Sequence, residues 1–143
     1  MRSIKLSILS TILLLLALSA IAQKSVTIKV LQTSDVHGAV FPYDFIRNKP
    51  MDASLANVYT YVKQERANVN QQLILLDNGD ILQGQPPVYF SNFIDDTKQN
   101  LISRVFNFMK YDAVTIGNHD IETGPKVYRA IEKELKMPLM AAN

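Results

Sequence analysis

The 143-residue chain contains no cysteine, only two histidines and almost no excess of charge of either sign. Without cysteine, disulfide bonds cannot brace the fold, and the chain does not look like a lipid-anchored lipoprotein. Its 15 basic and 13 acidic residues become 13 of each if Arg2 and Lys5 are removed with a leader. This balance gives no electrostatic case for binding a nucleic-acid polymer or a membrane surface. Stability must therefore come from a packed core, from metal, or from both.

The N-terminal segment has the three-part pattern of a secretory signal peptide. Arg2 and Lys5 precede an apolar run from Leu6 to Ala20, and the small residues Ala20 and Ala22 suit a peptidase. We predict a signal peptide over residues 1–22 and an exported protein, periplasmic or secreted, without a membrane anchor after cleavage. A transmembrane anchor is the competing interpretation, but the apolar run is shorter than the roughly 20 residues that a spanning helix needs.

Residues 23–143 show short apolar runs that alternate with helical patterns. The predicted strands are Val26–Thr33, Leu73–Leu76, Ala113–Ile116 and Leu139–Ala142. The predicted helices between them are Ser54–Asn68, Gln99–Phe108 and Pro125–Leu135. This βαβαβαβ order predicts an α/β fold with a mainly parallel sheet. Long loops are predicted over Phe41–Ala53 and Gly84–Asp96.

Three polar clusters follow apolar runs, at the points where predicted strands end. They are Asp35-Val36-His37, Gly79-Asp80 and Gly117-Asn118-His119-Asp120. Because ligands of open α/β sheets gather at the carboxyl ends of the strands, we expect the clusters to meet at one edge. Carboxylates and imidazoles bind divalent ions, and a pair of ions can clamp a phosphate ester and generate hydroxide. The three clusters together indicate a metallohydrolase.

The residue types also suggest a division of roles within these clusters. Asp35 and His37, two residues apart at the end of an extended segment, can direct both side chains to one ion. Asp80 can offer one oxygen to each of two ions, and Asn118 supplies a neutral oxygen. His119 can protonate the leaving alkoxide or stabilise the phosphoryl oxygens. The mixture of oxygen and nitrogen ligands fits zinc, manganese or iron better than a calcium cage.

Each of these residues also has an ordinary structural explanation. Asp35 and Gly79-Asp80 are common turn residues, and Asn118 fits a turn position. His37 alone is equally well explained as a loop histidine. Only the joint arrangement favours the functional interpretation.

Neighbouring residues are assigned structural roles. Asp120 is either solvated or a cap of the next helix, and Asp77-Asn78 is interpreted as loop geometry. The core or the helix faces are expected to contain the aromatic residues Tyr59, Tyr61, Phe106 and Phe108.

The ordered motifs carry a family resemblance. They are Gln32–Gly38, Asp77–Gly84, Gly117–Asp120 and the terminal Ala141–Asn143. In the order and spacing of these motifs, the chain from about Val26 to Asn143 resembles the calcineurin-like metallophosphoesterases. The resemblance is to their exported branch, which contains 5′-nucleotidases, UDP-sugar hydrolases and 2′,3′-cyclic-nucleotide 2′-phosphodiesterases. The resemblance implies the N-terminal portion of a four-layer αββα domain. It also implies a nucleotide or another small phosphate ester as substrate.

The resemblance assigns roles to individual residues. It implies that Asp35 and His37 bind the first of two divalent ions, that Asp80 bridges them, and that Asn118 binds the second. It also implies that His119 is the catalytic or transition-state histidine.

A carboxylate three residues after that histidine often forms a dyad with it in this family. Glu122 has this spacing from His119, where many 5′-nucleotidases have aspartate. Glutamate can orient the histidine with one more rotatable bond, and Asp120 is the less favoured partner.

The resemblance further implies later histidines, another ligand and a C-terminal domain that stacks the nucleoside base, whereas this chain has only His37 and His119. Within 143 residues, the second ion would have only Asp80 and Asn118 as protein ligands. The leading hypothesis is an exported dinuclear-metal phosphoesterase, of 5′-nucleotidase or 2′,3′-cyclic phosphodiesterase type, with residues 23–143 supplying about half of the metal site. The alternative is a truncated, catalytically inactive secreted binding module on the same scaffold.

Overall fold

The computed structural model describes residues 25–141 together with residues 8, 10 and 11. Apart from those three residues, the predicted signal peptide lies outside the described residues, as does its cleavage site. Within the described ranges, no helix is both long enough and apolar enough to cross a membrane.

The described residues form an α/β structure. The strands are β1 (Thr27–Thr33), β2 (Tyr43–Asp44), β3 (Lys49–Pro50), β4 (Gln71–Asp77), β5 (Ala113–Thr115) and β6 (Leu139–Met140). The helices of residues 25–141 are α1 (Leu55–Arg66), α2 (Pro86–Phe93), α3 (Leu101–Met109), α4 (Asn118–Glu122) and α5 (Pro125–Glu134). All four predicted strands and all three predicted helices are present, with ends shifted by at most two residues.

The main sheet has the strand order β1-β4-β5-β6, and its adjacent strands are all parallel. β1 pairs with β4 along its whole length, from Thr27 opposite Gln71 to Thr33 opposite Asp77. The parallel sheet predicted from the alternation of strands and helices is therefore confirmed. Its carboxyl edge is the place where the chain leaves β1, β4 and β5 for the polar clusters.

One face of the sheet is covered by the longer helices. Leu75 of β4 and Val114 of β5 are buried in a core to which α1, α3 and α5 contribute. The helix residues of this core are Leu55, Val62, Ile102, Phe106, Met109, Val127 and Ile131. The 3.6-residue spacing of these side chains is the reason that the three helices were recognisable from the sequence.

The opposite face of β1 carries apolar side chains that no described element covers. Ile28 and Val30 are 61% and 56% exposed, and Val30 lies opposite Ile74 of β4. Successive residues of a strand point to opposite faces, so Ile28 and Val30 share one face of β1, whereas Leu31 lies on the other face and packs against the core.

The two predicted loops contain regular structure, so both loop predictions are wrong in part. The segment Gly84–Asp96 includes α2, which begins with Pro86 and Pro87. Proline is tolerated in the first turn of a helix because the N–H groups there have no partner within the helix. Val88 of α2 is fully buried and fixes the helix to the core. The segment Phe41–Ala53 contains the short antiparallel pair of β2 and β3.

Asp77 is the last residue of β4 and is 2% exposed, so the interpretation of Asp77-Asn78 as loop geometry is wrong for Asp77. Its carboxylate accepts hydrogen bonds from the Thr33 hydroxyl at 2.5 Å and from the Gly79 N–H at 3.0 Å. The Tyr111 hydroxyl lies 2.9 Å from the Thr33 hydroxyl. Burial raises the pKa of Asp77 to about 6 from an ordinary 3.8, although these hydrogen bonds lower it.

We expect Asp77→Asn to stabilise the protein above pH 6. The folded state binds the proton more tightly than the unfolded chain, so Asp77 costs nothing below its unfolded pKa and its full penalty applies above the folded pKa. The penalty develops between about pH 4 and pH 6 and amounts to at most roughly 3 kcal/mol. Urea unfolding in the presence of a chelator should show the gain of the variant over the unmodified protein growing through this window.

The matched control is Asp52→Asn, since Asp52 is exposed. Its effect on the unfolding free energy should not follow this pH profile. A gain for Asp77→Asn that is constant from pH 4 to pH 6.5 would contradict the assignment to Asp77.

Candidate metal centre

Asp35, His37 and Asp80 come together at the carboxyl edge of the sheet. One ligand atom from each of the three side chains lies within 4.8 Å of the other two. Two backbone hydrogen bonds join the segments that carry them, from the Asp35 N–H to the Gly79 carbonyl at 3.1 Å and from the His37 N–H to the Asp80 carbonyl at 2.9 Å. The loops after β1 and β4 therefore form one unit. The structure thus brings these three predicted ligands together, as expected from the parallel strands.

The backbone geometry differs from the one assumed in predicting this cluster. Asp35, His37 and Asp80 have φ values of 54°, 48° and 59°, in the left-handed region rather than in extended conformation. The two side chains of Asp35 and His37 meet because the backbone turns at both residues, not because they alternate along a strand. Aspartate and histidine are among the non-glycine residues that tolerate this region best.

Asp80 is held against the start of α4. Its Oδ1 accepts the His119 N–H at 2.9 Å, and the side chain is packed closely over Gly117. A Cβ atom at Gly117 would lie 2.1 Å from Asp80 Oδ1 and 2.5 Å from Asp80 N. Glycine is therefore required at residue 117 for steric reasons.

The three side chains keep ligand atoms that no other group uses. Asp35 Oδ2 accepts a hydrogen bond from the Ser34 hydroxyl, and Asp80 Oδ1 accepts one from His119. Within the described residues, neither the second oxygen of these carboxylates nor the His37 ring forms a hydrogen bond, and no lysine or arginine pairs with Asp35 or Asp80. Two carboxylates and one imidazole that face each other without a cationic partner fit a divalent metal ion.

His119 lies beside this cluster and has a carboxylate partner of its own. Its ring centroid is 5.4 Å from that of His37, and its Nδ1 is 3.2 Å from Glu122 Oε2. The hydrogen bond with Glu122 raises the pKa of His119, and the carboxylates of Asp80 and Asp120 add to the effect. Gln83 also donates to Glu122 Oε2, at 3.1 Å. The predicted spacing of His119 and Glu122 thus corresponds to a contact across one turn of α4.

Asn118 is the first residue of α4 and is exposed, at the same edge as Asp80. That it binds an ion stays a prediction from the sequence.

Asp120 is 1% exposed, so the prediction of a solvated side chain is wrong. It also does not cap the following helix. Its Oδ2 accepts the N–H groups of Asp80 and Gly117 at 2.8 and 2.9 Å, and its Oδ1 accepts those of Ile81 and Leu82 at 2.9 and 2.7 Å. The sequence signal for the bond to Gly117 is an acidic residue three positions after the N-cap of α4, a spacing at which a carboxylate can reach back to the N-cap N–H.

Comparison with known proteins gives a consistent family assignment. A family model described as calcineurin-like phosphoesterase matches residues 28–141. The trifunctional nucleotide phosphoesterase protein YfkN of Bacillus subtilis is 32% identical over 129 residues, which are 85% of this chain and 9% of that protein. Protein UshA of Escherichia coli is 34% identical over 147 residues, which cover 99% of this chain and 25% of UshA.

The fold agrees with this assignment. The crystal structure of the calcineurin-like phosphoesterase YfkN from Bacillus subtilis matches with a TM-score of 0.71 and 33% identity, over 80% of this chain and 36% of that one. The chain therefore spans between about a tenth and a third of the length of these relatives.

Replacing Glu122 by glutamine should lower the pKa of His119 toward its ordinary value. The charged hydrogen-bond acceptor that favours the imidazolium is lost, whereas the size of the side chain is kept. The measurement is an NMR titration of the histidine ring protons in metal-free protein. Glu132→Gln, at an exposed position of α5, is the matched control and should leave the titration unchanged. An unaltered His119 titration in Glu122→Gln would show that the contact does not persist in solution.

We expect Gly117→Ala to destabilise the protein by about 2 kcal/mol or more and to disturb Asp80. The added methyl group meets backbone and carboxylate atoms that cannot move without breaking the hydrogen bonds of the loop. Gly124→Ala offers a comparison, because that residue has φ 86° and open space around it. There only backbone strain of about 1 kcal/mol is expected. Urea unfolding distinguishes the two, and equal effects would argue against the close contact at residue 117.

Proposed function

The chain belongs to the calcineurin-like phosphoesterase family, and from this membership and the geometry of the cluster we propose that it carries part of the active site of an exported, metal-dependent hydrolase of nucleotide phosphate esters. The observation that supports this most directly is the convergence of Asp35, His37 and Asp80 within 4.8 Å. Asp35 and His37 lie in the loop after β1 and Asp80 lies in the loop after β4, so it is folding that brings Asp80 to the other two.

The proposed metal site uses the predicted ligands. Asp35 and His37 would hold one divalent ion, Asp80 would bridge it to a second, and Asn118 would complete the contribution of this chain. When bound, such ions would polarise the phosphoryl group of the substrate and lower the pKa of water so that hydroxide is available near neutral pH. Zinc, manganese and iron are the ions that best suit the mixed oxygen and nitrogen ligands.

His119 and Glu122 are proposed to manage proton transfer. Glu122 orients the imidazole through Nδ1 and favours its protonated form. The other ring nitrogen is then an N–H donor, suited to the leaving oxygen of a phosphate ester or to charge on its phosphoryl group. Gln83 donates to the same oxygen, Glu122 Oε2, and this second contact helps to orient the carboxylate.

A nucleotide is proposed as the substrate because several relatives are named for acting on nucleotides. They include the trifunctional nucleotide phosphoesterase of Bacillus subtilis, a 2′,3′-cyclic-nucleotide 2′-phosphodiesterase/3′-nucleotidase of Haemophilus influenzae and the human 5′-nucleotidase. Both 5′-nucleotidase and 2′,3′-cyclic phosphodiesterase activity are consistent with these names.

We further propose that residues 23–143 act within a longer polypeptide. Further strands would cover the apolar face around Ile28 and Val30, and further histidines would complete the ligands of the second ion. A separate C-terminal domain would bind the nucleoside base. Residues 1–22 would direct export, on the basis of their signal-peptide pattern.

Asp80→Asn should reduce phosphoesterase activity by about a hundredfold or more. Loss of an outer hydrogen bond to a metal ligand already costs 10- to 100-fold, and Asp80 is proposed as a ligand itself. The assay is hydrolysis of nitrophenyl phosphate, AMP and 2′,3′-cyclic AMP by the longest natural polypeptide that contains this chain. Bound zinc, manganese and iron are measured in the same samples.

Glu132→Gln is the control and should retain full activity and metal content. Full activity of Asp80→Asn would refute the role given to Asp80. Stoichiometric metal without any hydrolysis by the unmodified polypeptide would instead favour the inactive binding module. Sequencing the gene beyond Asn143 would complement the assay. An open reading frame with Gly-His and Gly-His-x-His segments is expected for the enzyme, and a stop codon is expected for the binding module.

A further inference from the structure

The Asp120 carboxylate is the most deeply buried acidic group of the described residues and receives four backbone N–H groups. Three of them come from the consecutive residues Asp80, Ile81 and Leu82, and the fourth comes from Gly117. Their N to O distances lie between 2.7 and 2.9 Å. An ionised carboxylate is an acceptor only, so these four bonds use it fully.

Burial of a carboxylate is costly unless hydrogen bonds compensate for it. In residues 25–141, Asp120 has no lysine or arginine partner, and the backbone N–H groups take that place. The same bonds satisfy three successive N–H groups after the end of β4, where the chain has left the sheet. A neutral side chain of the same size cannot accept all four N–H groups.

The hydrogen bonds between the two segments run in both directions. The Asp80 N–H donates to Asp120 Oδ2, and the His119 N–H donates to Asp80 Oδ1. Asp80 is thus fixed at its backbone by Asp120 and at its side chain by the residue beside Asp120. With both points held, the Asp80 carboxylate has a defined position, with one oxygen within 4.8 Å of ligand atoms of Asp35 and His37.

We propose that Asp120 is a positioning residue for the binding of a divalent cation: it holds Asp80 in the backbone conformation that places its carboxylate in the cluster with Asp35 and His37. This inference rests on the proposed function in one respect, namely that Asp80 is a metal ligand. Asp120 itself touches neither ion nor substrate in this assignment. Asp120 would raise the affinity for the cation because it holds Asp80 in place before the cation binds. It stabilises the fold because it accepts hydrogen bonds from four backbone N–H groups.

The test measures Mn²⁺ binding by the full chain, with Mn²⁺ alone as the probe. Calorimetry and electron paramagnetic resonance give the dissociation constant. Asp120→Asn should raise the Mn²⁺ dissociation constant 10- to 100-fold, as expected for the loss of outer-shell support. Glu132→Gln should leave the constant unchanged, and Asp80→Asn should weaken binding more than Asp120→Asn does. Circular dichroism of the metal-free proteins verifies that the fold is retained.

A second measurement requires no metal. Hydrogen exchange of the Asp80, Ile81, Leu82 and Gly117 amides should be faster in Asp120→Asn than in the unmodified chain, with core amides such as Leu75 unchanged. Asp120→Glu keeps the charge but displaces it by one methylene, so it should fold and still bind Mn²⁺ more weakly than the unmodified chain. This variant replaces Asp120→Asn if the latter does not fold.

Several outcomes would overturn the inference. A folded Asp120→Asn with unchanged Mn²⁺ affinity would do so, as would unchanged exchange at all four amides. Unchanged affinity in Asp120→Glu would also do so if Asp120→Asn is unfolded. Absence of Mn²⁺ binding by the unmodified chain would reject the proposed metal function itself, and the exchange rates would then decide alone whether Asp120 holds the loop.

Discussion

The contact between Asp80 and Gly117 is the constraint on which the rest of the site depends. It joins the loop after β4 to the start of α4, and the missing side chain of Gly117 lets the two backbones approach. The loop after β1 is then attached by its N–H groups at Asp35 and His37. Because each segment satisfies polar groups of another, the three loops are ordered together and not one by one. The position of the side chains in the candidate metal centre is a result of this shared hydrogen bonding.

Much of the fold was predictable because its strong signals are local and periodic. The continuous apolar run of β4 and the helical stripe of α3 each identify a buried element without tertiary information. α2 was missed because its two prolines resemble a loop signal, although proline fits the first turn of a helix. The hairpin of β2 and β3 has only two residues in each strand and offers no periodicity to recognise.

The meeting of Asp35, His37 and Asp80 was predictable from the sequence, but their backbone geometry was not. The parallel sheet was sufficient to place Asp35, His37 and Asp80 at one edge, since parallel strands end together. The left-handed backbone at these residues is set by hydrogen bonds between loops and could not be read from the spacing. The burial of Asp120 is likewise a tertiary property. In the sequence it is one acidic residue among others, and only its four N–H partners distinguish it.

The left-handed conformation of Asp35, His37 and Asp80 has a consequence for protein engineering. Under the proposed function, each of these positions demands two properties at once, a side chain suited to a cation and a backbone that tolerates positive φ. Aspartate and histidine combine them, whereas glutamate keeps the carboxylate but is less suited to the turn. Transplanting this trio onto another scaffold would therefore fail if only the side-chain positions were copied. The graft must carry the turns, together with the buried acceptor that holds one of them.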